Sequence, residues 1–217
     1  MEHNQPNKTI FLTFDDGPNE PYTSEILDIL AAHQAKATFF VCGKNIEKWP
    51  SVLKHIAEAG HAIGIHSYSH DLAKTIRGDL LKEIEVTRKL ILLYTDISTK
   101  LFRPPWGITR PKLKRQLLSL GYFLVPWYIM AFDWRKPAPK FIANHVIQRA
   151  FPGAVVLLHD GEGVKEADRS NTVKALPAIL QALSSQGYEF SGLSQDYKKA
   201  HGNLKSIMID NISWFLK

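Results

Sequence analysis

The sequence carries a single cysteine, Cys42. No intramolecular disulfide can staple the fold, and cysteine usage says nothing about the redox compartment. No apolar run approaches the ~18 residues needed to cross a bilayer. The opening Met-Glu-His-Asn-Gln-Pro-Asn-Lys has neither the basic n-region nor the apolar h-region of a secretory signal. No membrane span is expected, and localisation stays open between a cytoplasmic protein and an exported one whose leader is missing from this chain. Linkers, low-complexity tracts and internal repeats are also lacking. Basic and aromatic residues do not interleave as they do on a nucleic-acid platform. The net charge of +6 is spread over many segments. It favours acidic surroundings in general, and no nucleic-acid partner is expected.

What is present is enough for one core: 217 residues, 45% of them hydrophobic, too few for two ordinary domains. A single domain over 1–217 follows, with a helical extension at 195–217 that includes an apolar helix at 204–214. Short apolar or β-branched runs at 10–14, 37–41, 62–65, 101–103, 123–125, 154–158 and 189–190 read as strands. Between them, 23–33, 51–59, 79–94, 110–120, 140–150 and 171–185 have helical apolar spacing. Gly60, Gly121 and Gly187 stand where left-handed helix ends are wanted. This alternation predicts an α/β fold around a mainly parallel sheet.

In parallel α/β barrels the loops after the strand C-termini carry the chemistry, and the polar motifs here sit at strand ends. Thr13-Phe14-Asp15-Asp16-Gly17-Pro18 ends the first strand with two adjacent carboxylates; His66-Ser67-Tyr68-Ser69-His70 follows the third with two imidazoles four residues apart. Alone, the first is an ordinary Asp-Asp-Gly turn and the second an incidental His pair. Together, one carboxylate and two imidazoles make a donor set for zinc or a similar divalent ion, with positions left for water and substrate. The other histidines, His3, His33, His55, His61, His145 and His201, have no such partners and read as surface or helix-packing residues.

These motifs resemble the polysaccharide deacetylase family, carbohydrate esterase family four or NodB homology domain, with five motifs in order over about 9–190. The resemblance implies a distorted, TIM-barrel-like (β/α) barrel of about seven units. It implies Asp15 as general base and Asp16, His66 and His70 as metal ligands. Arg103-Pro104-Pro105-Trp106-Gly107 is similar to the third motif, in which Arg103 orients the base and the backbone at Trp106 serves the oxyanion; the family's usual residue at that position is Tyr. Asp133-Trp134 is similar to the end of the fourth, where Asp133 tunes the catalytic histidine and Trp134 lines the acetyl pocket; a further Asp common three residues earlier is Met130 here. Leu157-Leu158-His159 resembles the fifth, with Leu157 against the acetyl methyl and His159 as general acid.

The implied activity is hydrolysis of N-acetyl groups on an acetylated amino-sugar polymer or oligomer of chitin or peptidoglycan type. The implied cofactor is a divalent ion, zinc first and cobalt or nickel as alternatives. Arg103 would keep Asp15 ionised and aimed, and Asp133 would favour the His159 imidazolium. Trp106, Trp134 and Trp127 could stack on sugar faces, although Trp127 reads equally well as core. Two other readings are an O-acetyl esterase of the xylan type and a carbohydrate-binding relic without turnover. Oligomeric state is not legible.

Overall fold

The computed structural model describes residues 8–194 and Tyr197. The helix expected at 204–214 lies outside these residues, as do His3 and His201. The described chain runs β1 (Lys8–Gly17), α1 (Tyr22–Ala32), β2 (Thr38–Val41), α2 (Gly43–Lys48), α3 (Pro50–Glu58), β3 (Ala62–Ile65), α4 (Leu72–Arg77), α5 (Leu81–Thr95), β4 (Leu101–Phe102), α6 (Pro111–Ser119), β5 (Phe123–Leu124), β6 (Ile129–Met130), α7 (Pro139–Ile147), β7 (Val155–His159), α8 (Ser170–Ser185) and β8 (Tyr188–Phe190). Three helices, α3, α6 and α7, start on proline, whose missing N–H is not needed in a first turn. The expected glycines after α3, α6 and α8 adopt φ of 74°, 78° and 81°. No helix among the described residues is long and apolar enough to cross a membrane.

All pairings between named strands are parallel, in the order β5-β4-β3-β2-β1-β7-β6, with β8 beside the first residues of β1. The sheet curls into an open half-barrel. One strand, β6, was not expected, and neither were the short helices α2 and α4. Residues 125–128 join β5 to β6, the two ends of the sheet, so those ends are at most ~18 Å apart. Arg103 braces the start of this connection, donating from Nε to the Val125 carbonyl at 3.4 Å and from Nη2 to the Pro126 carbonyl at 3.3 Å.

Strand alternation divides the core in two. On β1, Ile10, Leu12 and Phe14 face the helices with Phe39, Val41, Val156, Leu158, Leu30 and Leu176. Phe11 faces the barrel interior with Phe40, Leu101, Val125, Trp127, Val155, Leu157 and Tyr197. The interior is narrow: a side chain on Gly64 would meet the Phe40 ring at 2.4 Å. The same alternation places Thr13 and Asp15 inward above Phe11, and His159 inward above Leu157.

Candidate metal centre and active site

Asp15 and His159 are direct partners across the β1–β7 ladder, so one carboxylate and one imidazole share the inner face at the strand ends. Regular alternation would then turn Asp16 toward the helices. It does not, because β1 bulges there: Asp15 pairs with Phe40 and Gly17 with the next residue, Val41. Asp16 is the extra residue, at φ 79°, a backbone region that Asp tolerates better than most side chains. The bulge re-aims its carboxylate, so that Asp16 Oδ1 lies 3.3 Å from His66 Nε2 and 3.2 Å from His70 Nε2.

These three groups offer donor atoms that all lie within 4.8 Å of one another. Asp16 Oδ1 is buried and has no hydrogen-bond partner, the condition of an oxygen reserved for a cation. His66 Nδ1 lies 2.7 Å from the Arg103 carbonyl; donating its N–H there leaves the Nε2 lone pair facing Asp16. Burial pushes His70 down to about 4, so its ring is neutral and able to ligate at ordinary pH. An oxygen and two imidazole nitrogens suit a divalent metal. The residues fit such an ion, and this cluster could hold one.

Beside it, Asp15 Oδ1 accepts from Arg103 Nη1 at 2.7 Å, while Oδ2 faces His66 Nε2 at 3.8 Å. Arg103 is fully buried. Its Nη1 also donates to Thr13 Oγ1 at 2.6 Å, and its guanidinium lies 4.2 Å above the Phe40 ring. Burial pulls the Arg103 pKa down, and the Asp15 charge opposes that pull.

On the far side, Asp133 holds His159 by two bonds: the imidazole Nδ1 lies 2.8 Å from Oδ1, and the backbone N–H donates to Oδ2 at 2.8 Å. The Thr172 hydroxyl donates to the same Oδ2 at 2.9 Å. Burial would depress the imidazole, but the Asp133 charge and hydrogen bond outweigh it and raise His159 to about 9. With Nδ1 engaged, Nε2 is the atom left to move a proton.

The Trp134 ring stands edge-on to His159 with centroids 5.5 Å apart, and the Trp106 ring lies 4.1 Å from that of His70. Leu157 lines the interior, partnered across the ladder by Met130 of β6. Trp127 is 7% exposed and packs in the interior under Arg103, so it is core and no part of an open groove. His61 is a packed histidine and not a surface one, edge-on to the Phe39 ring. It is buried, its Nδ1 accepts the Ala37 N–H at 3.2 Å, and burial pushes it down to about 4.

Several residues of the site were not anticipated. Asn45 Nδ2 donates to the Asp16 carbonyl at 2.7 Å and to the Gly163 carbonyl at 2.6 Å, tying the bulge to the loop after β7. The 66–70 loop holds two non-glycine residues in left-handed backbone, Ser67 at φ 66° and His70 at φ 49°, each costing on the order of 1 kcal/mol. Glu83 and Thr87 of α5 bond to this loop. The signal for them was present in the sequence: polar residues four apart on the face of a helix that otherwise turns apolar side chains inward.

Comparison with known proteins places these features in context. The polysaccharide deacetylase family model matches residues 2–125. Two proteins of Bacillus cereus, each called peptidoglycan-N-acetylglucosamine deacetylase, are 36% identical to this chain. The first alignment covers 83% of this chain and 65% of the relative, just under two thirds of that relative's length. The second covers 89% of this chain and 90% of the relative. The crystal structure of a polysaccharide deacetylase from Bacillus cereus superposes with a TM-score of 0.82 at 33% identity, covering 94% of this chain and 99% of the other.

Proposed function

Because this chain belongs to the polysaccharide deacetylase family, we propose that it hydrolyses N-acetyl groups on an amino-sugar polymer or oligomer of peptidoglycan or chitin type, with zinc as its divalent ion. One observation carries this reading. A carboxylate held at one oxygen by Arg103, Asp15, and an imidazole held by a buried carboxylate, His159, are ladder partners on the inner face, beside three metal-donor atoms. Amide hydrolysis needs that pairing, because a proton must leave water on one side of the carbonyl and reach nitrogen on the other.

Asp16, His66 and His70 would hold the ion, which when bound would supply Lewis-acid polarisation and make a nearby water more acidic. Asp15 Oδ2 takes a proton from the attacking water, while Arg103 holds Oδ1 and so fixes the carboxylate's direction. As water oxygen bonds to the carbonyl carbon, the negative charge gathering on the carbonyl oxygen meets the backbone N–H of Trp106; such a donor contributes on the order of 3 kcal/mol. His159 Nε2 then gives its proton to nitrogen as the C–N bond breaks, releasing acetate and a free amine. Trp134 and Leu157 enclose the acetyl methyl.

The test is acetate release from peptidoglycan fragments, chito-oligosaccharides and acetylated xylan. Turnover of one or both amides, abolished by a chelator and restored by zinc, is the expected result. Turnover of xylan alone would replace this reading with an O-acetyl esterase. No turnover of any substrate by the metal-loaded protein would leave a carbohydrate-binding relic.

A further inference from the structure

We propose that Glu83 is a positioning residue of the metal centre: reaching in from α5, its carboxylate sets the 66–70 loop so that both imidazole Nε2 atoms face Asp16. This rests on the metal reading above. Glu83 is 7% exposed and makes four contacts. Oε2 accepts the Tyr68 N–H at 3.3 Å and the Ser69 N–H at 3.1 Å; Oε1 accepts the Ser69 hydroxyl at 2.6 Å and Lys74 Nζ at 2.6 Å. Three of the four donors belong to Tyr68 and Ser69, the residues lying between the left-handed Ser67 and His70.

One turn along the same helix face, the Thr87 hydroxyl donates to the Ser67 carbonyl at 2.9 Å. Within the loop, the His70 N–H donates to Ser67 Oγ at 3.1 Å. A buried ion pair is weak evidence of a stabilising role, since an apolar side chain often does as well. Two neighbours on α5, Ile84 and Ile91, fill the core in just that way. An apolar residue at 83 could not accept two successive backbone N–H groups, and those groups fix the turn that carries His70 back toward His66. Productive metal geometry tolerates about 0.5 Å of displacement, so a loop released from Glu83 would lose ion affinity before it lost its fold.

The experiment titrates Co²⁺ into the full chain stripped of metal, reading affinity and ligand geometry from the visible absorption bands. Glu83→Gln keeps the shape but turns an NH₂ group toward donors. Its Co²⁺ affinity should fall about 10- to 100-fold with altered bands, the scale known for groups that orient metal ligands. Ser69→Ala removes one donor from a half-buried loop position and should show a smaller loss in the same direction; it decides the matter if Glu83→Gln does not fold. Glu85→Gln, on the same helix but bonded to Tyr122 and Arg88, should bind as wild type. Wild-type affinity and bands in both Glu83→Gln and Ser69→Ala would overturn the proposal, as would an equal loss in Glu85→Gln. A wild-type chain that takes up no Co²⁺ would instead overturn the metal reading beneath it.

Discussion

On the β1–β4 side of the site, Asp15 is paired with Arg103; on the β6–β7 side, His159 is paired with Asp133. Each pair joins a carboxylate to a cationic group out of water, but the cations differ in kind. The Arg103 guanidinium keeps its proton throughout the working range, and Thr13, two backbone carbonyls and the Phe40 ring surround it. His159 can lose its proton, and Asp133 sets where it does so. The candidate base therefore rests on a fixed charge and the candidate acid on a movable one. Damage to the first half should appear as lost rate and stability, and damage to the second as a moved pH profile.

The largest effect is expected from Asp15→Asn. Losing the base should lower kcat by two or more orders of magnitude, on the scale of ~100-fold for general-base catalysis, with metal content unchanged. The variant also leaves Arg103 buried without an anion. Removing one partner of a buried pair typically destabilises by about 3–5 kcal/mol. The Asn oxygen still accepts one hydrogen bond, so the loss should fall at or below the lower end of that range. Rate, bound metal and thermal midpoint measured together test this. A variant retaining most of the wild-type rate would show that Asp15 is structural, and the contrast between the halves would fail.

Asp133→Asn should act differently. As a proton donor, His159 works while protonated, so the alkaline limb of the kcat profile reports its loss. Asp133 raises the imidazole against burial to about 9. A dication on Asp16 cancels that carboxylate's share of the effect, and the limb of the loaded enzyme should lie below 9. Without the Asp133 anion, burial is left to depress the imidazole, and the limb should move to lower pH by about 1–3 units, the range for losing an adjacent opposite charge. The acidic limb should stay in place. An unmoved alkaline limb would mean that another group carries the proton.

The regular half of this architecture was legible in the sequence, and the irregular half much less so. The short apolar runs 10–14 and 154–158 mark strands of the parallel sheet, and the motif residues stand at the strand ends where they were expected. Strand β6 was missed because only residues 125–128 separate Ile129 and Met130 from β5, with no helix between them to signal a new β-α unit. The bulge at Asp16 is a matter of register between two strands, which no local pattern encodes. Thr172 was missed for another reason: it acts through Asp133 from a helix distant in sequence, and its residue type alone does not separate a bonded inner position from a solvated one. Trp127 shows the converse, an aromatic near the motifs that the half-barrel's interior claims as core.

The smallest effect is expected at Met130. Its Cα is the ladder partner of Leu157, two residues before His159. With a rise of about 3.3 Å per residue and a strand spacing of about 4.8 Å, the Met130 and His159 Cα atoms are ~8 Å apart. The Met130 side chain packs against the interior cluster with Leu157, while the polar bonds at His159 are supplied by Asp133, whose two oxygens already take three donors. A carboxylate at 130 would therefore add charge without joining the dyad. Met130→Asp should change kcat by less than the ~10-fold that marks loss of a genuine orienting group, and it should leave the alkaline limb in place. The decisive comparison is with the double variant Met130→Asp/Asp133→Asn. If position 130 is outside the reach of the imidazole, the limb stays where Asp133→Asn put it. If the added carboxylate returns the limb toward the wild-type position, the acid half accepts its anion from either strand position, and the single-partner account of His159 is wrong.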